Sequence, residues 1–142
     1  MTCCDIWEVF DEPNNLIKEY KYWKLLVRKN NTKLGSCVAV TKRHLEALSE
    51  ITPEEMQEFA QVVKEVEKSA KTAFNYDKIN YLMLMMKDKH THFHIFPRYN
   101  TERNFAGIKW LDEGGNDPLI QKRDELSQEV LNQIKEELKK NL

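Results

Sequence analysis

The chain has 142 residues, enough for one domain of ordinary size and too few for two independent cores. Hydrophobic residues make up 41% and charged residues 32%, with only 4 Gly and 4 Pro, which excludes a disordered or collagen-like chain. Lys plus Arg number 22 and Asp plus Glu 23, so the net charge of −1 lacks the footprint of a duplex nucleic-acid binder.

Met1-Thr2-Cys3-Cys4-Asp5 has no basic stretch followed by an apolar one, so no secretory signal is expected. No apolar run reaches the roughly 18 residues of a membrane span. Three cysteines, two of them adjacent, do not make a disulfide framework, and a reducing, cytoplasmic setting follows.

The first predicted strand is Tyr22 to Arg28, which is aromatic and β-branched. A polar loop from Lys29 to Gly35 leads to a second strand, Ser36 to Thr41, in which Cys37 reads as a core residue. Thr52-Pro53-Glu54-Glu55 then starts the clearest helix. Thr52 caps it, Pro53 suits the first turn, and Glu55 completes a capping box. Met56, Phe59, Ala60, Val63, Val66, Ala70, Ala73 and Phe74 make its apolar stripe.

A strand is predicted from Ile79 to Met86. The short Lys87-Asp88-Lys89 link and the alternation after it predict an antiparallel hairpin with His90 to Arg98. Residues 99 to 118 read as an irregular surface segment. Pro118 to Leu142 reads as helix, with Leu119, Ile120, Leu126, Val130, Leu131, Ile134 and Leu138 at helical spacing. Trp7, Trp23 and Trp110 read as core or interface residues.

The chemistry concentrates in one strand. Side chains alternate between strand faces, so His90, His92 and His94 share a face, with successive rings roughly 7 Å apart. Thr91, Phe93 and Ile95 point to the other face and suit a helix. Three aligned imidazoles with apolar residues in both gaps point to a site rather than a chance cluster. Two chemistries fit them. One is a metal-binding protein, since alternate histidines on a strand can bind a zinc. The other is covalent phosphorus chemistry: a neutral imidazole is a nucleophile and a leaving group near neutral pH, and its neighbours can bond the phosphoryl oxygens.

His90-Thr91-His92-Phe93-His94-Ile95-Phe96, followed by Pro97-Arg98, resembles the His-φ-His-φ-His-φ-φ signature of the histidine triad (HIT) superfamily. Gly35 to Thr41 with Lys42-Arg43-His44 is similar to that family's strand closing on a Lys-Arg-His or like triplet. Leu48 to Glu55 is similar to the start of its long helix. The likeness runs over about residues 20 to 100, in the family order.

This resemblance implies an α+β fold, with an antiparallel sheet, a long helix packed on it and, here, a C-terminal helix from about 118 to 142. It implies one domain over 1–142, paired as a homodimer. The implied activity is a nucleotide hydrolase or nucleotidyltransferase acting on nucleoside phosphoramidates or dinucleoside polyphosphates. His92 would form a nucleotidyl-histidine intermediate, His94 and His90 would contact phosphoryl oxygens or leaving group, and His44 would lie near them. No cofactor is implied.

Three departures matter. The Gly-containing loop with Gln or Ser that precedes the triad in many members is replaced by Lys87-Asp88-Lys89, so Lys87 and Lys89 become candidate phosphate ligands. Arg28 stands where the family often has a ribose-binding Asp. The family's N-terminal Cys-x-x-Cys zinc pair is reduced to adjacent cysteines, leaving a zinc set of Cys3 or Cys4 with His44 and His90 as the minor reading. A nucleotide-binding relative with little turnover is the remaining alternative.

Overall fold

The computed structural model describes residues 5–85, 89–113, 115 and 125–142. Five strands form one antiparallel sheet: β1 (Leu16–Glu19), β2 (Trp23–Val27), β3 (Cys37–Thr41), β4 (Lys78–Leu82) and β5 (His92–Arg98), in the spatial order β1-β2-β3-β5-β4. The helices are α1 (Ile6–Val9), α2 (Glu12–Asn15), α3 (Pro53–Phe74) and α4 (Gln128–Asn141). No helix of the described residues is long and apolar enough to cross a membrane.

The capping box of α3 forms as its sequence predicts. Thr52 Oγ1 accepts from the Glu55 N–H at 3.1 Å, and the Glu55 carboxylate accepts from the Thr52 N–H at 2.9 Å. The buried stripe of α3 runs through Phe59, Val62, Val66, Ala70 and Phe74. Met56 and Ala60, expected in this stripe, are exposed, and Val62 takes the inward place. Phe93 meets this helix through Phe59, ring centroids 4.6 Å apart. Each such buried side chain contributes about 1.5–3 kcal/mol. Gly35, at φ +84°, closes the same layer: a Cβ there would sit 2.9 Å from Phe74.

Several boundaries move. The strand expected over 79–86 is β4 and ends at Leu82, so the link to β5 is longer than a tight hairpin turn. The antiparallel pairing holds, with Leu82 opposite His94 and Lys78 opposite Arg98. Residues 99–118 are not wholly irregular. β6 (Arg103–Phe105) and β7 (Ile108–Trp110) pair as a hairpin around Ala106 and Gly107, both at positive φ. The C-terminal helix starts at Gln128 rather than near 118, because Ser127 caps it by accepting from the Val130 N–H; Leu119 and Ile120 lie outside the described residues. Leu131, Ile134 and Leu138 bury α4 in the same core as α3.

The expected polar loop after β2 is largely buried from Asn31 onward. Lys33 reaches Asp112 at 3.4 Å, and both side chains are almost fully covered. Arg98 grips the same carboxylate at 2.7 and 3.1 Å. Burial pulls the Lys33 pKa below its ordinary value, and Asp112 opposes that pull. This cluster ties the loop and β5 to the segment after β7.

On the histidine face of the sheet, the N-terminal cover was not anticipated. Ile6 and Phe10 pack on Leu26, Val38 and Val40, with Trp7 beside them. The turns around α1 and α2 thus cover the face that carries the histidines.

Candidate active site

The register of β5 against β3 sets His92 beside Val40 and His94 beside Val38. Alternation then puts both rings on the face away from α3. His90 lies just ahead of the strand. It is held there by Thr91, whose N–H and Oγ1–H both donate to the Leu45 carbonyl at 2.8 Å. Thr91 therefore spends its hydroxyl hydrogen on the segment after β3.

Backbone carbonyls assign the tautomers. His92 Nδ1 lies 2.6 Å from the His90 carbonyl oxygen, which can only accept, so Nδ1 carries the hydrogen. In the neutral ring the lone pair is then on Nε2. His90 Nε2 donates in the same way to the Thr41 carbonyl at 2.5 Å, which leaves Nδ1 as its acceptor. That atom faces His44 Nδ1 at 3.3 Å. His44 Nε2 in turn lies 3.3 Å from the Glu46 carboxylate. The four histidines are thus brought into one cluster.

The rings are close. His92 and His94 have centroids 5.0 Å apart and nearly perpendicular planes, and His94 stacks on Phe96 at 5.8 Å. Burial first, then the charges of Arg28 and His92, pushes the His94 pKa down to about 3. His90 is also lowered, chiefly by burial, with the Thr41 hydrogen bond opposing. His94 is therefore a neutral ring at physiological pH, able to donate one hydrogen bond without adding charge.

Phe10 sits 5.8 Å from His92 and 6.0 Å from His94, and Trp7 meets His90 edge-on at 5.6 Å. The sequence reading made Trp7 a core or interface residue but did not place it, or Phe10, against the histidines. The only signal of these two aromatic residues is the Ile6, Trp7, Phe10 spacing, too short to establish a period. They leave His92 only 2% exposed.

Arg28, at the end of β2, lies on the same face and reaches the Phe96 ring at 5.2 Å. Lys89 is exposed. Lys87 and Cys4 lie outside the described residues, as does Cys3. His44 Nδ1 and His90 Nδ1 have the separation that two nitrogens show on one tetrahedral zinc, about 3.3 Å for bonds of about 2.0–2.1 Å. Among the described residues, however, no group of three or more His, Cys, Asp or Glu could hold a metal.

The HIT domain profile matches residues 10–101. The chain belongs to the HIT family. That superfamily comprises nucleotide-binding hydrolases and transferases. Solved structures agree on the fold. A histidine triad nucleotide-binding protein from Sulfolobus tokodaii superposes with a TM-score of 0.74 at 19% identity, covering 97% of this chain and 91% of its own. A histidine triad protein from Sinorhizobium meliloti gives 0.73 at 17% identity, covering 99% and 96%. A uridylyltransferase gives 0.65 at 21% identity, covering 98% of this chain and 46% of its own. No curated protein matches the sequence.

Proposed function

We propose that this HIT protein is a nucleotide hydrolase or nucleotidyltransferase that works through a nucleotidyl-histidine on His92. The observation that carries the reading is the anchored tautomer: the His90 carbonyl fixes Nδ1–H of His92, so Nε2 holds the free lone pair. Nε2 attacks the phosphorus of a nucleoside phosphoramidate or dinucleoside polyphosphate. An N–P bond forms, the bond to the amine or phosphate breaks, and that group leaves with the bonding pair. Water or another acceptor then attacks phosphorus and releases the ring. Neutral His94 flanks the attacking ring, suited to donate to the phosphoryl oxygens, while His90, whose N–H is held by the Thr41 carbonyl, offers its Nδ1 lone pair on the side of His44.

His44, set against His90, supports that ring, and Lys87 and Lys89 remain candidate phosphate ligands. The working unit is a cytoplasmic homodimer, which sedimentation of the purified chain at micromolar concentration tests directly. The activity itself is tested by turnover of adenosine and guanosine phosphoramidates and dinucleoside polyphosphates. Turnover abolished in His92→Ala supports the reading. Binding without turnover across both series would contradict it.

A further inference from the structure

At the His94 end of the histidine row, the structure holds a cation that no carboxylate among the described residues neutralises. Arg28 continues the ladder of β2, its N–H donating to the Ser36 carbonyl at 2.8 Å, so its side chain falls on the face of Leu26, His92 and His94. The loop fixes its backbone. Asn31 Nδ2 donates to the Arg28 and Ser36 carbonyls at 2.6 and 2.9 Å, and Asn31 Oδ1 accepts from the Ser36 N–H at 3.0 Å.

The guanidinium lies over Phe96, which stacks on His94. Nη1 donates to the Asn30 carbonyl at 2.6 Å. Nε is buried with no partner among the described residues, and so is Nδ1 of His94. Burial alone shifts the group; no carboxylate among the described residues contributes. A guanidinium does not shed its proton, so this charge cannot be relieved by titration. Stacking on Phe96 accounts for the ring contact but leaves Nε–H without an acceptor among the described residues. A planar fork of donors beside a neutral imidazole is shaped for an oxyanion.

We propose that Arg28 forms an anion subsite at the His94 end of the row, which takes a second phosphate of the nucleotide substrate besides the one that His92 attacks. The ligand class rests on the proposed nucleotidyl chemistry; the subsite rests on the geometry of Arg28. The second phosphate has two sources, the next unit of a polyphosphate chain or an ester on the ribose, and both offer the same oxyanion.

Calorimetric titration of the full chain with adenosine 5′-monophosphate, adenosine 5′-diphosphate and adenosine 3′,5′-bisphosphate, and with the guanosine series, tests this. At least one two-phosphate nucleotide is expected to bind about 10- to 100-fold tighter than the monophosphate. A tighter diphosphate assigns the subsite to the polyphosphate chain, and a tighter bisphosphate to the ribose ester. Arg28→Gln should erase the advantage, and Arg28→Lys, which keeps the charge and loses the fork, should keep part of it. Melting curves confirm that the variants fold; if Arg28→Gln does not, a partial loss in Arg28→Lys carries the test. Equal binding of all three nucleotides to the wild type, or an advantage that neither variant reduces, overturns the subsite and leaves the proposed function standing. Binding of no nucleotide overturns both.

Discussion

Along β5, adjacent residues serve opposite purposes. Ile95 is fully buried in the core beneath α3, and Phe93 packs on Phe59 and Trp23 at 4.6 and 6.1 Å. These side chains ask only for apolar neighbours. One residue away, His92 and His94 are met instead by Phe10 of a thin N-terminal layer, and a nitrogen of His94 has no partner among the described residues. The period of two divides the strand into a face that holds the fold and a face that keeps polar atoms uncommitted. Uncommitted buried polar atoms cost stability, which is tolerated where a ligand satisfies them.

Substitutions should break the two faces in different ways. His92→Ala is expected to lower kcat/KM by about 10³-fold or more while the melting temperature stays near wild type. Phosphoramidate kinetics alongside calorimetry read both quantities, and a cost seen only in stability would merge the two faces. His94→Ala should lose about 10²- to 10³-fold, as removal of a charge-stabilising donor does, and His90→Ala, which removes no free donor, should lose less. On the other face, Ile95→Ala should cost about 2–5 kcal/mol in urea unfolding, with residual native enzyme as active per molecule as wild type.

A smaller effect sharpens the comparison through pH. His94 and His90 have folded pKa values below the unfolded value of about 6.5, so the unfolded chain binds more protons as the pH falls. The stability these rings contribute is therefore complete above about pH 6.5 and declines below it, with a loss of up to about 2 kcal/mol from His94 at pH 5 and a further loss of the same sign from His90. Glu55 and Glu65, also held below the ordinary carboxylate value, lose their contribution as the pH falls from about 4.3 toward their own lower pKa, outside this window. Urea midpoints at pH 7.5 and pH 5 should therefore differ less in His94→Phe than in wild type. An unchanged difference would mean that His94 is not held neutral. The smallest expected effect is that of a chelator, which should leave turnover intact, because an imidazole rather than a metal-bound water makes the attack. Activity lost on chelation and restored by zinc would transfer the site to the His44 and His90 pair.

What the sequence disclosed follows local rules. The Thr52 to Glu55 capping box, the α3 helix and the alternation of β5 are written in residues close together, and they came through with small shifts. The HIT likeness supplied His44 as a neighbour of the triad, where it stands against His90. Other features depend on partners far along the chain. Lys33 looks like a loop lysine until Asp112 arrives beside it. The hairpin of β6 and β7 needed Ala106 at positive φ, a conformation that only the neighbouring Gly107 hinted at. The N-terminal cover depends on Ile6 and Phe10 meeting Leu26, Val38 and Val40, a match between surfaces rather than a pattern in either. The uncompensated charge of Arg28 is likewise visible only once its surroundings are known.

The central claim is that one ring, His92, takes the nucleotidyl group. Brief incubation with a nucleoside phosphoramidate, denaturation without acid and intact mass measurement tests it most directly. The account predicts a mass increase of one nucleotidyl group in the wild type and in His90→Ala, and none in His92→Ala. An adduct that persists in His92→Ala would contradict it.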